Sequence, residues 1–295
     1  MSTFTSDTSF DPILQPPYKT SLFALLLAIV LLVTGCSRLF YYPDKKLIRN
    51  PSDIGVCYED VQFPSEDGID LHGWFLPAAG RAKGTILFFH GNAENISTHI
   101  GAVYWLPENG FNVFIFDYRG FGNSAGEARN QGVHRDARSA LSYLLKRSDV
   151  DPERLILFGQ SIGGAIALYT AATSGIAISA VVAESSFSSY PGILREKMSG
   201  LFLTWPFQWL AWTMTSRYDP VTVVQDIRPV PLLLIHGDKD NTVAIQHAYT
   251  LFEAARGNKQ LWVVKGGGHI SAFAPRRGNF RQRLLDYLEG VLSSN

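Results

Sequence analysis

The stretch from Ile156 to Leu168, ILFGQSIGGAIAL, passes from bulky apolar residues into small ones with a single hydroxyl, Ser161, at the junction. A serine attacks an acyl carbon only when a neighbouring base takes its proton, because the neutral hydroxyl is a poor nucleophile near pH 7. Histidine is the usual base, and a carboxylate fixes its tautomer and stabilises the charge it gains. Both lie further along the chain. His269 follows Gly266-Gly267-Gly268, and an acid, Asp238 or Asp240, stands in His236-Gly237-Asp238-Lys239-Asp240. The tetrahedral oxyanion needs preorganised N–H donors. One would be the backbone of Ile162, directly after the serine at a helix N-terminus; a second would be the backbone of Asn92 in His90-Gly91-Asn92-Ala93. The competing reading of Ser161 is a helix N-cap, whose hydroxyl satisfies a backbone donor and does no chemistry.

Elements must carry these residues to one place. Arg154 to Phe158 reads as a buried strand and Ile162 to Thr173 as a helix with a glycine-rich first turn. In that strand-turn-helix setting a serine is held on a strained turn. Gly159 and Gly163 leave room where a Cβ would meet neighbouring backbone. Tyr58 to Phe63 and Ile69 to Leu76 alternate about Ser65-Glu66-Asp67-Gly68 and read as an antiparallel hairpin. Thr85 to Phe89, Phe111 to Phe116, Ala180 to Ala183, Leu232 to Ile235 and Leu261 to Val264 are near-continuous apolar runs, as in parallel strands covered on both faces. Helical spacing recurs over Val133 to Leu145, Val243 to Ala255 and Asn279 to Leu292. Alternation of strand and helix predicts an α/β domain with a mostly parallel sheet and helices on both faces. Function in such sheets sits at the carboxyl ends of the strands, where Asn92, Ser161, the acid and His269 all fall.

Five ordered motifs carry a resemblance that covers about residues 40 to 293. They are HGNAEN (His90 to Asn95), DYRGFGNSAG (Asp117 to Gly126), GQSIGG (Gly159 to Gly164), HGDKDNTV (His236 to Val243) and GGGH (Gly266 to His269). The sequence resembles the α/β-hydrolase superfamily, and within it the membrane-associated bud-emergence-type proteins, close to serine-aminopeptidase-like and monoacylglycerol-lipase-like hydrolases. The lead-in, YYPDKKL at Tyr41 to Leu47 and EDVQFPSEDGIDLHGWFLPA at Glu59 to Ala78, is similar to that group as well. The resemblance implies the α/β-hydrolase fold and makes Asp240 the acid of a Ser161, Asp240, His269 triad, leaving Asp238 to the turn. It implies that Asp117, Arg119 and Ser124 form a structural loop beside the site, where buried pairing is the expectation.

Composition excludes some classes. Formal charge is zero, with 26 basic and 26 acidic side chains, so no nucleic-acid surface is expected. No repeat or low-complexity tract divides the chain. His90 and His236, each before a glycine at a strand end, are expected to make structural hydrogen bonds. His72, His99, His134 and His247 show no metal-ligand spacing, and neither metal nor organic cofactor is expected. The two cysteines, Cys36 and Cys57, are too few for a disulfide framework. Cys57 is read as a small buried residue near the first strand.

Cys36 ends an apolar run. Ser21 to Val33, SLFALLLAIVLLV, is preceded by Lys19 and followed by Thr34-Gly35-Cys36, the layout of a secretory signal. Val33-Thr34-Gly35-Cys36 resembles the lipobox of bacterial lipoproteins, which implies a lipidated Cys36, a membrane-anchored protein of the cell envelope and, with Ser37 next, sorting to an outer membrane where one exists. The alternative is an uncleaved single-pass anchor, since Thr20 to Ser37 is an uncharged stretch of 18 residues. Only Lys19 precedes the run while Arg38, Lys45, Lys46 and Arg49 follow it, the reverse of what the positive-inside rule asks of an exported domain. The expected organisation is a signal or anchor over 1–35 and one hydrolase domain over 36–295, with a cap insertion at about 187–218.

That insertion holds Trp205, Trp209 and Trp212, three of the six tryptophans. One reading is a helix packed on the sheet. The other is a lid that lines an acyl pocket and touches the bilayer, where tryptophan favours the interface. The function expected is cleavage of an acyl ester or lipid through an acyl-enzyme on Ser161. Two alternatives stand beside it: a serine peptidase for short peptides, which needs an acid for the free amine and finds only Glu196 in the cap, and a catalytically silent binding protein on the same scaffold.

Overall fold

The computed structural model describes residues 40–200, 204–205, 208–209, 211, 217–274 and 278–294. The apolar run before Cys36, Cys36 itself and Trp212 lie outside them.

Eight strands form one sheet: β1 (Glu59–Pro64), β2 (Asp70–Leu76), β3 (Gly84–Phe89), β4 (Phe111–Asp117), β5 (Leu155–Gln160), β6 (Ala180–Glu184), β7 (Leu232–Gly237) and β8 (Lys259–Val264), in the order β8-β7-β6-β5-β3-β4-β2-β1. β2 is antiparallel to both its neighbours, and every other pair is parallel. The α-helices among the described residues are α1 (Ile96–His99), α2 (Asn130–Leu144), α3 (Ile162–Thr173), α4 (Tyr190–Ser199), α5 (Pro220–Val223), α6 (Gln246–Ala254) and α7 (Phe280–Ser294).

The central strands are apolar on both faces because both are covered. Along β3, Leu87 and Phe89 enter one core, with α2 and α3, while Ile86 and Phe88 enter the other, with α7. α3 is buried nearly all round, as its unbroken small and apolar residues demand. α2 buries Val133, Ala137, Ala140, Leu141 and Leu144, one stripe at helical spacing. The hairpin forms about Ser65 to Gly68 as the alternation predicts, with Phe63 paired to Leu71. Cys57 is exposed rather than buried, because it enters the edge strand β1, whose first residues Glu59 and Asp60 also face solvent.

Register decides where the functional residues stand. Phe89 pairs with Gly159, Gln160 with Glu184, Glu184 with Ile235, and Gly237 with Val264. The residues that follow these pairs leave the sheet side by side along one rim. The chain before β1 returns to the same rim: Tyr42–Pro43 forms a two-residue parallel ladder with Ala93–Glu94, and the Tyr42 N–H donates to the Asn92 carbonyl at 2.7 Å.

Candidate active site

Ser161 has φ 57° and ψ −122°, a backbone conformation that L-residues rarely adopt, and its side chain makes no capping hydrogen bond. The N-cap reading therefore does not hold. The turn is tight as well as strained. A Cβ on Gly159 would strike the Gly163 carbonyl, and one on Gly163 would strike the carbonyls of Phe89 and His90. Four non-glycine residues among those described have positive φ: Glu94, Ser161, Ser185 and Ile270. All lie on this rim, and each costs about 1–3 kcal/mol. Strain concentrated at one place is what a scaffold tolerates where it must aim groups.

Behind Gly266 (φ 63°), the glycine run brings His269 back over the sheet. Its Nδ1 lies 2.8 Å from Asp240 Oδ2. Asp240 Oδ1 accepts from the backbone N–H of Thr242 at 2.8 Å and of Val243 at 2.9 Å. Burial alone would raise this carboxyl. The hydrogen bond from His269 and those from the Val243 and Thr242 amides outweigh it and hold the group down at about 2. Asp238 takes a different part: it is exposed and accepts from the Gly266 N–H at 2.6 Å, tying the strand end to the glycine run.

Two further residues that carry no motif hold serine and histidine together. Glu184, at the end of β6, accepts the Ser161 N–H on its backbone carbonyl at 2.8 Å. Its buried carboxylate accepts Gln160 Nε2 at 2.7 Å on Oε2 and the Ala272 N–H at 2.8 Å on Oε1. Burial pushes the Glu184 carboxyl up, against the hydrogen bonds from Gln160 and Ala272. Ser185 Oγ accepts the Ile270 N–H at 3.1 Å. The Ser161 turn and the His269 loop thus hang from one pair of adjacent residues. An acid closing an apolar strand gives no sequence signal of such a role.

Ser161, Ile162 and Asn92 line one pocket of about 240 Å³. Its other walls are mostly apolar, from Phe40, Phe187, Ile193 and Leu194, with Val243 from the acid loop. Ile162 is the first residue of α3, so its N–H has no acceptor within the helix. His90 and His236, and the loop beside the site, make hydrogen bonds that hold the strand ends. His90 Nδ1 bonds the Gly91 carbonyl at 2.7 Å, and His236 Nε2 the Val243 carbonyl at 2.8 Å. Asp117 accepts the Ile96 N–H at 2.9 Å, and Ser124 donates to the Asp117 carbonyl at 2.6 Å. Arg119 pairs with Asp136 at 2.7 Å and Asp67 at 2.8 Å. Among the described residues no group of histidine, cysteine and acid could hold a metal ion.

A strained serine on a strand-to-helix turn, an imidazole bonded to an acid and an eight-stranded, mostly parallel sheet define an α/β hydrolase. The Pyrococcus furiosus esterase Pf2001 has this fold, with a TM-score of 0.70 at 21% identity over 86% of this chain and 98% of its own. Residues 97–295 match the model of the prolyl oligopeptidase family, and the chain belongs to that family of hydrolases. Among its relatives, the uncharacterized protein YfhR of Escherichia coli K12 is 38% identical over 92% of this chain and 94% of its own. The protein bem46 of Schizosaccharomyces pombe is 28% identical over 70% of this chain and 68% of its own.

Proposed function

We propose that the protein is a serine hydrolase of carboxylic esters, acting through an acyl-enzyme on Ser161. The observation that carries this reading is the strained Ser161 opening on an apolar pocket, with an imidazole bonded to Asp240 on the same rim of the sheet. Ser161 Oγ attacks the ester carbonyl carbon as its proton passes to His269 Nε2. Asp240 keeps the proton of His269 on Nδ1 and stabilises the imidazolium that forms. The backbone N–H groups of Ile162 and Asn92 receive the oxyanion. Collapse returns the proton from His269 to the departing alcohol; water, activated by the same imidazole, then releases the acid.

The match to a peptidase family gives the runner-up, cleavage of short peptides. Such a site needs a carboxylate for the substrate's free amine. Glu196 stands in α4 between the pocket residues Leu194 and Lys197, but its Oε2 bonds His247 Nε2 at 3.0 Å and its Oε1 accepts the Ala244 N–H at 3.1 Å. The apolar walls suit an acyl chain better. Tethering to a membrane through Cys36 belongs to the same proposal; a mass spectrum of the purified protein with an intact Met1 or an unmodified Cys36 would rule out the lipoprotein form. The activity itself is tested with p-nitrophenyl esters of two to sixteen carbons and Ser161→Ala. Turnover that is lost in the variant is expected. Turnover that survives it would refute Ser161, and peptide cleavage without ester cleavage would favour the runner-up.

A further inference from the structure

The pocket is closed on one side by Phe40 and Tyr42, in the segment that follows the proposed anchor. Both line it together with Ser161. This wall is fixed, not draped. The Tyr42 N–H is bonded to the Asn92 carbonyl, Phe40 packs edge-on against Tyr190 at 5.2 Å, and Tyr41 packs against Phe121 at 6.4 Å. Tyr190 opens α4, the helix that also gives Ile193, Leu194 and Lys197 to the pocket lining.

Chain length then limits where the pocket can be. Phe40 is only four residue steps from Cys36, and an extended chain covers at most about 3.6 Å per residue, or ~14 Å in all. The limit is as short if the apolar run spans the bilayer uncleaved, since that run ends at Ser37. A bilayer's polar interface is itself several ångströms deep, so a pocket on so short a tether opens at the membrane surface.

The exposed surface fits the same placement. Eight large hydrophobic residues are exposed among those described, and four of them, Tyr42, Ile48, Trp205 and Trp209, belong to the post-anchor segment and to the lid beyond α4. Trp205 and Trp209 are 62% and 53% exposed, uneconomical in water and suited to a lipid interface. The Thr204 hydroxyl, bonded to the Met198 carbonyl at 2.8 Å, keeps Thr204 and the adjoining Trp205 near the end of α4. Lys46 and Arg49, in the same post-anchor segment, add charges that anionic headgroups attract.

We infer that the pocket mouth faces the bilayer in which the chain is anchored and that the substrate is an acyl-ester lipid resident in that bilayer. The inference rests on the ester-hydrolase reading and on the N-terminal anchor, and it adds the source of the substrate and the side from which it enters.

The test uses the full chain reconstituted in vesicles of phosphatidylethanolamine and phosphatidylglycerol that contain a fluorogenic long-chain monoacylglycerol. A spacer of about 20 prolines, inserted between Ser37 and Arg38, would lift the domain by ~60 Å without touching the site. Hydrolysis of the vesicle lipid is expected to fall tenfold or more in the spacer variant, while a soluble butyrate ester is cleaved within about twofold of the wild-type rate. Equal lipid hydrolysis by both proteins would overturn the inference. Should the wild-type protein cleave neither ester, the hydrolase reading fails, and placement is decided separately with vesicles of brominated lipid. Tryptophan quenching that shrinks in a Trp205→Phe, Trp209→Phe double variant would keep the mouth at the membrane; no quenching would remove it.

Discussion

Asp240 and Asp238 stand two residues apart and are chemically alike, yet only one touches His269. Asp240→Asn should therefore lower kcat by ~10⁴, since the amide favours the wrong tautomer. Asp238→Asn keeps an acceptor for Gly266 and should leave kcat within about threefold. Glu184 is a positioning residue, and its amide variant tests that. In Glu184→Gln a single oxygen must serve two donors, so either Gln160 Nε2 or the Ala272 N–H faces an NH₂ group. A loss of roughly tenfold in kcat with little change in KM is expected. Adding Gln160→Glu exchanges the pair and restores the pattern, so kcat should recover; no recovery would mean that Glu184 acts only through packing. At this scale Ser161 and its glycines were legible because sterics dictate them, and His269 because three glycines announce a fold-back. The choice of Asp240 came from motif resemblance, and the structure supplied the distance. Glu184 was illegible: its partners are 24 and 88 residues away, and only the register of β5 on β6 and the return of the histidine loop bring them together.

Elements were read from patterning, and patterning located them to within a few residues at each end. Apolar runs marked the covered strands, but the boundaries missed the polar residues that close them. Asp117, Gln160 and Glu184 are the last residues of β4, β5 and β6. A polar side chain ends an apolar run without ending a hydrogen-bond ladder. The segment around α4 and α5 carries its own prediction. Asp219, before α5, accepts the Tyr190 N–H at 2.8 Å and is 3% exposed. Burial raises its carboxyl to about 6, with only the Tyr190 amide opposing. A folded value above the unfolded one means that the fold favours the protonated acid. The resulting cost is absent below about pH 4, grows as pH rises through about 6 and is complete above it. Asp219→Asn keeps the acceptor and removes the charge. It should gain on the order of 2–3 kcal/mol in denaturant unfolding at pH 8 and nothing at pH 4; an equal effect at both would sink this account. For the lid, alanine at Trp205, Trp209 and Trp212 should reduce kcat/KM on twelve-carbon esters about fivefold or more, and on four-carbon esters by less than about twofold. Equal losses at both lengths would return these residues to packing.

For the whole molecule, a parallel sheet covered on both faces gathers its functional loops at the carboxyl ends of the strands, which is why the fold class and the rim were legible in the sequence while the strand order was not. The wall formed by Phe40 and Tyr42 could not. It depends on a two-residue ladder between Tyr42–Pro43 and Ala93–Glu94, too short and too remote in sequence to be read from patterning. Among the described residues no helix is long and apolar enough to cross a membrane. The proposed tether lies in the segment before Phe40. The central claim, an activated Ser161, is tested most directly by labelling the detergent-solubilised chain with a fluorophosphonate and mapping the adduct by tandem mass spectrometry. The account predicts one adduct per chain, on Ser161, and none in His269→Ala over the same interval. No adduct in the wild-type chain, or an adduct on another serine, would contradict it.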